Sequence, residues 1–309
     1  MPYVAVSWEK YPIVLETAER RWRALLEVRG DLAPAIALQR RLLTLVSELG
    51  GTIENGRIPR LSLPAKYLAA KLARGVPALT GEPIPLPVAP MRRTLVQLCE
   101  ALADGGAGQT ATHIREVIDN GSMEPGSLLS ASLARNQSAI RAGAVHRGLA
   151  PDLVWLVAEL AVSPFVYMLQ HALLANASDE TLRAALEQWD RGHCPACGSW
   201  PALAEVVGGH RALRCSFCSS AWELNRYACI YCDEGGEKFV TAAPNEDRKD
   251  RRLEVCTSCG GYLKTIDLPE LSPFPLLSIS DIETTDLDVA AMEHGYARPA
   301  LKEFSVRKG

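Results

Sequence analysis

No stretch of this 309-residue chain stays apolar for long enough to read as a membrane span. The longest apolar run, from Leu153 to Leu174, is broken by Glu159, Ser163, Pro164, Gln170 and His171, and reads as a buried helix or helix pair. The first ten residues, Met1 to Lys10, have no basic region leading into an apolar core. No signal peptide is expected, and a cytoplasmic location with reduced thiols is. Charge of one sign is scarce: 33 Lys and Arg stand against 36 Asp and Glu, and a net −3 gives no general pull toward nucleic acid or anionic lipid. There is no Ser-His-Asp set, no Walker motif and no dinucleotide fingerprint. His113, His146 and His171 are isolated and read as ordinary surface or core residues. An apolar fraction of 48% with 22% charged residues excludes a disordered chain, a collagen and a coiled-coil rod. The length suggests about two domains of roughly 150 residues.

What is present is cysteine, in one place. Cys99 stands alone beside Leu98 in a helical pattern and reads as a buried apolar thiol. The other eight form four C-x-x-C pairs: Cys194/Cys197, Cys215/Cys218, Cys229/Cys232 and Cys256/Cys259. A C-x-x-C turn lets two thiolates grip one ion, and two such turns complete a tetrahedron. Seventeen residues separate the first pair from the second and 23 the third from the fourth, gaps that suit a hairpin. Only ten lie between Cys218 and Cys229, a natural linker. The spacing therefore predicts first with second and third with fourth. A cross-braced pairing of first with third is the alternative, and a redox-active dithiol the less favoured chemistry.

His193 and His210 lie nearby, but each four-cysteine set is already full. A full thiolate set leaves no open position for water or substrate, which argues against Lewis-acid hydrolysis. Tetrahedral sulfur suits zinc or iron alike. Gly198 and Gly260 follow two of the knuckles and permit a turn whose N–H groups point at sulfur. Ser219 and Asp233 follow the other two. Between Arg191 and Lys264 there are ten basic and nine acidic residues. Two ions in four thiolates each would bring that region to about −3, against a nucleic-acid surface. Arg248, Lys249, Arg251 and Arg252 are interspersed with Glu246, Asp247, Asp250 and Glu254 and read as a solvated loop.

Residues 12 to about 190 read as helical. Ala18, Trp22, Leu25 and Leu26 share one face; Leu38, Leu42, Leu45 and Leu49 share the next, with Pro34 near its start and a stop expected at Gly50-Gly51. Five prolines between Pro77 and Pro90 predict an extended loop, either a connector or, less favoured, a recognition loop. The pattern restarts at Arg92 with Leu95, Leu98 and Leu102 and ends at Gly105, Gly106 and Gly108. Helices follow at His113–Asn120, Ser127–Arg135 and Leu149–Asn176, the last expected to bend at Pro164. A short one runs through Trp189 with Ser178 as candidate N-cap. Trp22, Trp155 and Trp189 fit helix packing; Trp200 and Trp222 fit a cover over the first metal site or a partner surface.

From Arg191, β-like runs alternate with Cys and Gly: Leu203–Val207, Ala212–Arg214, Ala221–Tyr227, Lys238–Ala242, Leu253–Val255 and Tyr262–Ile266. A last helix is expected at Leu287–His294. The fold class is α+β. An all-helical domain over 1–190 is followed by rubredoxin-like or zinc-ribbon modules of four cysteines each, at 191–227 and 228–268. A tail with a short helix occupies 269–309.

The segment Gly192 to Pro201, with Arg214-Cys-Ser-Phe-Cys218, resembles the FdhE family of formate dehydrogenase accessory proteins. Trp222, Arg226, Cys229-Ile-Tyr-Cys232 and Glu254 to Lys264 continue the resemblance, as do Asp281 to Pro299 with Asp288 and His294 to Pro299. It covers the cysteine half closely and the helical half in length and character. It implies a cytoplasmic, non-catalytic protein that assists maturation of respiratory formate dehydrogenase. The implied partner is that enzyme's selenocysteine- and molybdenum-containing catalytic subunit, before its twin-arginine export. The family's C-x-x-C motifs are associated with rubredoxin-type iron. That places iron ahead of zinc for two ions per chain, held by Cys194, Cys197, Cys215, Cys218, Cys229, Cys232, Cys256 and Cys259. The rival readings are a zinc-ribbon nucleic-acid-binding regulator and a rubredoxin-like electron carrier.

Overall fold

The computed structural model describes residues 3–4, 11–55, 63–175, 179–243 and 249–299. The chain is α+β and divides into two compact units. One comprises residues 9–61 and 81–169. The other comprises 1–8, 62–80 and 170–309 and carries all eight paired cysteines.

The first unit is helical: α1 Tyr11–Val28, α2 Ala33–Asn55, α4 Val88–Leu102, α5 Gly108–Asp119, α6 Pro125–Leu133, α7 Gln137–His146 and nearly all of α8 Pro151–Gln170. Its core follows the 3.6-residue period. Val14, Ala18, Trp22 and Leu25 are buried on α1, and Leu95, Leu98, Cys99 and Leu102 on α4. Helix α2 does not stop at Gly50-Gly51. It continues to Asn55 because Ile53, 4% exposed, extends the buried row of Leu42, Val46 and Leu49. Burying such a side chain is worth about 1.5–3 kcal/mol, against about 1–2 kcal/mol for the two helical glycines together. Helix α4 begins at Val88, so Pro90 sits in its first turn, where the missing N–H costs little. The proline-rich stretch is free of helix only as far as Pro87. Gly106 and Gly108 break the run with positive φ. Helix α8 includes Pro164 without a break in its helical assignment and passes into a wider helical turn at His171–Ala175. By length and composition Pro151–Ala175 could cross a membrane, but 67% of its most apolar window is buried inside the protein.

The second unit is built on a seven-stranded sheet, order β1-β4-β3-β2-β7-β6-β5. The strands are β1 Tyr3–Val4, β2 Pro201–Val207, β3 His210–Cys215, β4 Ala221–Trp222, β5 Phe239–Ala242, β6 Arg251–Cys256 and β7 Tyr262–Asp267. Six of the seven fall in the runs read from sequence. β1 does not; it is a strand in the otherwise helical N-terminal stretch and pairs with β4, Tyr3 opposite Trp222. Hairpin β2–β3 belongs to the first cysteine ribbon, and β5–β6–β7 to the second. A parallel pairing of β2 with β7, Ala204 opposite Thr265 and Val206 opposite Asp267, fuses the two ribbons into one sheet.

Helices α3 Ala65–Ala73 and α9 Glu180–Glu187 pack on each other in this unit, burying Leu68, Ala69 and Leu72 against Leu182 and Leu186. The Asp179 side chain caps α9 by accepting from the Leu182 N–H, and Trp189 lies just past its end; Ser178 is outside the described residues. The units thus differ from a cut at 190, because residues 62–80 and 170–190 associate with the sheet. A division at 190, 227 and 268 into a helical part, two ribbons and a tail is a proposal.

The tail forms α10 Leu277–Glu283 and α11 Thr285–Glu293. Leu287 and Ala291 pack on Leu253, Val255 and Tyr262 of the second ribbon. The chain then returns to the fourth knuckle, where the Ala297 N–H donates to the Gly260 carbonyl at 2.8 Å. Lys264, with no exposed side-chain surface, reaches Asp281 and Asp288, both at 2.7 Å. Arg298 caps the same carboxylates at 3.1 and 2.9 Å, and the Tyr262 hydroxyl donates to Asp288.

Candidate metal centres

Four copies of one turn make the sites. In each, the first cysteine's carbonyl accepts from the N–H four residues on, and its own N–H donates to the carbonyl five residues on. The pairs are Gly198→Cys194 with Cys194→Ser199, and Ser219→Cys215 with Cys215→Ser220. The other two are Asp233→Cys229 with Cys229→Glu234, and Gly260→Cys256 with Cys256→Gly261, all between 2.8 and 3.2 Å. The residue after the second cysteine must adopt a left-handed conformation to close this loop. Gly198, Ser219, Asp233 and Gly260 have φ of 82, 55, 65 and 68°. The two positions that the sequence leaves without glycine therefore adopt the glycine geometry all the same.

The sulfurs gather as two groups, Cys194, Cys197, Cys215 and Cys218, and Cys229, Cys232, Cys256 and Cys259, each with its ligand atoms within 4.8 Å of one another. The grouping joins first with second and third with fourth, not first with third. In the first group, Cys194–Cys218, Cys197–Cys215 and Cys197–Cys218 are 3.6, 3.4 and 3.7 Å apart. In the second, Cys229–Cys259 and Cys232–Cys256 are 3.7 and 3.6 Å. A tetrahedron with metal–sulfur bonds of about 2.3 Å has edges of about 3.8 Å, so each group can hold one ion. No pair is a disulfide.

Backbone N–H groups face the sulfurs as the turn requires. Those of Phe217 and Cys218 lie 3.4 Å from Cys215 Sγ. Tyr231 and Cys232 serve Cys229, Ser258 and Cys259 serve Cys256, and Gly261 serves Cys259. Such donors spread thiolate charge. Burial pushes the Cys215 and Cys218 thiols well up, so four anionic sulfurs there require a cation to neutralise them. Burial also raises Cys229. At Cys256 burial acts in the same direction, but the N–H groups of Cys259 and Ser258 outweigh it and the thiol sits below its usual value.

All four cysteines of the first group are buried. Ser220 Oγ is 3.1 Å from both Cys194 and Cys218 Sγ, and Ser199 Oγ is 3.4 Å from Cys197 Sγ. The Tyr3 hydroxyl donates to Gln170 at 2.5 Å, and burial first, then the neighbouring Cys218 and Cys194, push that phenol far up. The loop after α3 runs along the first knuckle: the N–H groups of Ala78 and Leu79 donate to the Pro195 and Ala196 carbonyls at 2.8 and 2.9 Å. Part of the proline-rich stretch is thus a wall of the site. The Lys71 ammonium fixes that loop through the carbonyls of Ala78 and Thr80. Beneath the second knuckle, fully buried Arg214 pairs with fully buried Glu205 and donates to the Ser219 and Ser272 carbonyls.

Trp222 is buried and its indole donates to the Arg191 carbonyl; Trp200, whose carbonyl accepts from the Ser216 N–H, has its ring between those of His193 and Tyr231 at 6.0 and 5.1 Å. Neither His193 nor His210 joins a sulfur group. His193 is buried under Trp189, whose indole donates to its carbonyl. His210 is exposed and 3.7 Å from Glu223. Tyr3, Gln170 and Ser220 have no motif to betray them in the sequence, while Ser199 and Arg214 lie in the segments that carry the family resemblance.

No family model matches the chain. A Protein FdhE homolog of Haemophilus influenzae (strain KW20) is 36% identical over 116 residues, covering 36% of this chain and 38% of that protein. Protein FdhE of Escherichia coli O127:H6 is 31% identical over 149 residues, covering 46% and 47%. The chain thus matches less than half the length of these curated relatives. In fold it is similar to the crystal structure of the FdhE protein from Pseudomonas aeruginosa, with a TM-score of 0.56 at 22% identity over 100% of both chains.

Proposed function

We propose, with the FdhE-family assignment that these likenesses support as the premise, that the chain is a metal-binding accessory protein for maturation of respiratory formate dehydrogenase. It binds the catalytic subunit in the cytoplasm before export and is not itself an enzyme. All eight paired cysteines are ligands, four to each of two ions, with iron ahead of zinc. Four thiolates fill each ion's coordination, so its contribution is to fold and fix the ribbon module rather than to activate water.

The observation that carries this reading is the doubled four-cysteine arrangement in a chain that shares its fold end to end with an FdhE structure. The test is a pulldown of the intact chain and of Cys197→Ser with the catalytic subunit, scored beside activation of the enzyme. Joint loss of binding and activation in the variant supports a folded binding surface. Retained binding without activation points instead to a direct action of the metal on the immature enzyme. No binding by the intact chain overturns the proposal. Metal analysis with a visible spectrum of protein purified without air decides the ion: thiolate-to-iron charge-transfer bands support iron, and a colourless protein with about two zincs reverses the order. The exposure of Cys232 and Cys259 favours a second reading, an electron carrier, which reversible redox colour in the absence of any partner would mark.

A further inference from the structure

The two ribbons meet at a seam as well as through the sheet. Gly192, just before the first knuckle, lies so close to Ile230 of the third that a Cβ would run into the Ile230 carbonyl. Trp200, just after the first knuckle, meets Tyr231 edge-on at 5.1 Å. Tyr231 stands between Cys229 and Cys232, and its hydroxyl donates to the Tyr262 carbonyl at 3.0 Å. Its ring also lies against the fourth knuckle, 2.6 Å from where a Cβ on Gly261 would be. One side chain thus touches both knuckles of the second site and, through Trp200, the first. The parallel pairing of β2 with β7 joins the same two ribbons, since β2 follows the first knuckle and β7 the fourth.

We propose, resting on the metal-binding reading above, that the two four-cysteine groups load metal cooperatively, with Trp200 and Tyr231 as the residues that couple them. A ribbon without its ion must lose conformational entropy to form its knuckles, and metal binding supplies the free energy that offsets this. A first ion orders Gly192, Trp200 and β2. The second ribbon then folds onto a formed surface and its ion meets a smaller ordering cost. Loading the second site favours the first by the same factor, because coupling of two binding equilibria is reciprocal.

The test titrates the metal-free, reduced, full-length chain with Zn2+ against a chromophoric competing chelator. The second site in Cys194→Ser/Cys197→Ser is expected to bind at least tenfold more weakly than in the intact chain. The first site in Cys256→Ser/Cys259→Ser weakens by a similar factor. Trp200→Leu keeps all eight thiols, binds two ions, and loses most of the coupling, so it separates lost coupling from lost folding. Affinities within twofold of the intact chain in both double variants overturn the proposal and leave the metal-binding reading standing. Failure of the intact chain to bind Zn2+ overturns both.

Discussion

The two four-cysteine groups share one knuckle design and differ in what surrounds it. In the first group all four cysteines are buried, behind Tyr3, Ser220, the Pro77–Thr80 loop and the Arg214–Glu205 pair. In the second, Cys229 and Cys256 are buried while Cys232 and Cys259 are exposed. Equal sulfur geometry means that ligand identity alone does not set the sites apart; burial and hydrogen bonding around the thiolates do. The first site belongs to the core of its unit and the second to its surface.

The strongest way to break that comparison is to remove one ligand from each group. Cys215→Ser leaves a metal-poor cluster in a place without solvent and is expected to cost about 4 kcal/mol or more. Cys259→Ser opens an already exposed corner, where water can replace sulfur, and is expected to cost about half as much. Hydrogen-exchange protection of the β2–β3 and β6–β7 amides measures both in the metal-loaded chain. Equal losses would mean that the two sites are structurally equivalent and that burial is incidental.

The sequence made this comparison possible without containing it. The eight cysteines, their pairing and six of seven strands follow from C-x-x-C spacing and β-like runs, because a knuckle is a local object. The asymmetry is not local. Tyr3, Ala78, Leu79 and Gln170 reach the first site from 24 to about 190 residues away in the chain, and no periodicity encodes such an approach. The run past Gly50-Gly51 in α2 was illegible for a related reason: burial of Ile53 outweighs local propensity. Asp288 and Arg298, marked only by family resemblance, turn out to clamp the tail on Lys264.

A second way to sharpen the comparison is kinetic. An excess of a water-soluble chelator should strip the exposed site first, giving two release phases of equal amplitude whose rates differ by at least about tenfold, or roughly 1.4 kcal/mol in barrier. Tyr3→Ala should accelerate the slow phase and leave the fast one unchanged, since Tyr3 stands over the first group alone. A single phase, or an effect of Tyr3→Ala on the fast phase, would remove the distinction.

The second site depends on its tail in place of a wall, and that dependence has a pH signature. Burial raises the Asp281 carboxyl, but Arg298 and Lys264 outweigh it and hold the group below the usual carboxylate value. A folded-state pKa below the unfolded one contributes stability that is present above about pH 4 and lost as pH falls through the folded value. Asp281 is partly exposed, so solvent screening limits the contribution to about 1 kcal/mol. The stability difference between the intact chain and Asp281→Asn, followed by exchange of α10 and α11 amides, should be flat from pH 8 to 5 and shrink below 4. A difference that grows toward acid would have the wrong sign for this ion pair.

The smallest effect tests the knuckles themselves. Ser219 in the first site and Asp233 in the second adopt φ of 55 and 65°, where a Cβ is strained and glycine is not. Relief of that strain is worth about 1–2 kcal/mol, less about 0.5–1 kcal/mol for the extra freedom that glycine gains when unfolded. Asp233 has two offsetting advantages: aspartate tolerates the left-handed region, and its carboxylate accepts from Arg226 at 2.7 Å on the surface. Ser219→Gly is therefore expected to stabilise the first ribbon by a few tenths of a kcal/mol, and Asp233→Gly to be neutral or slightly destabilising in the second. Thermal unfolding of the two metal-loaded variants checks the order. If Asp233→Gly proved the more stabilising, the surface ion pair would be idle and the knuckle backbone alone would set the preference at both sites.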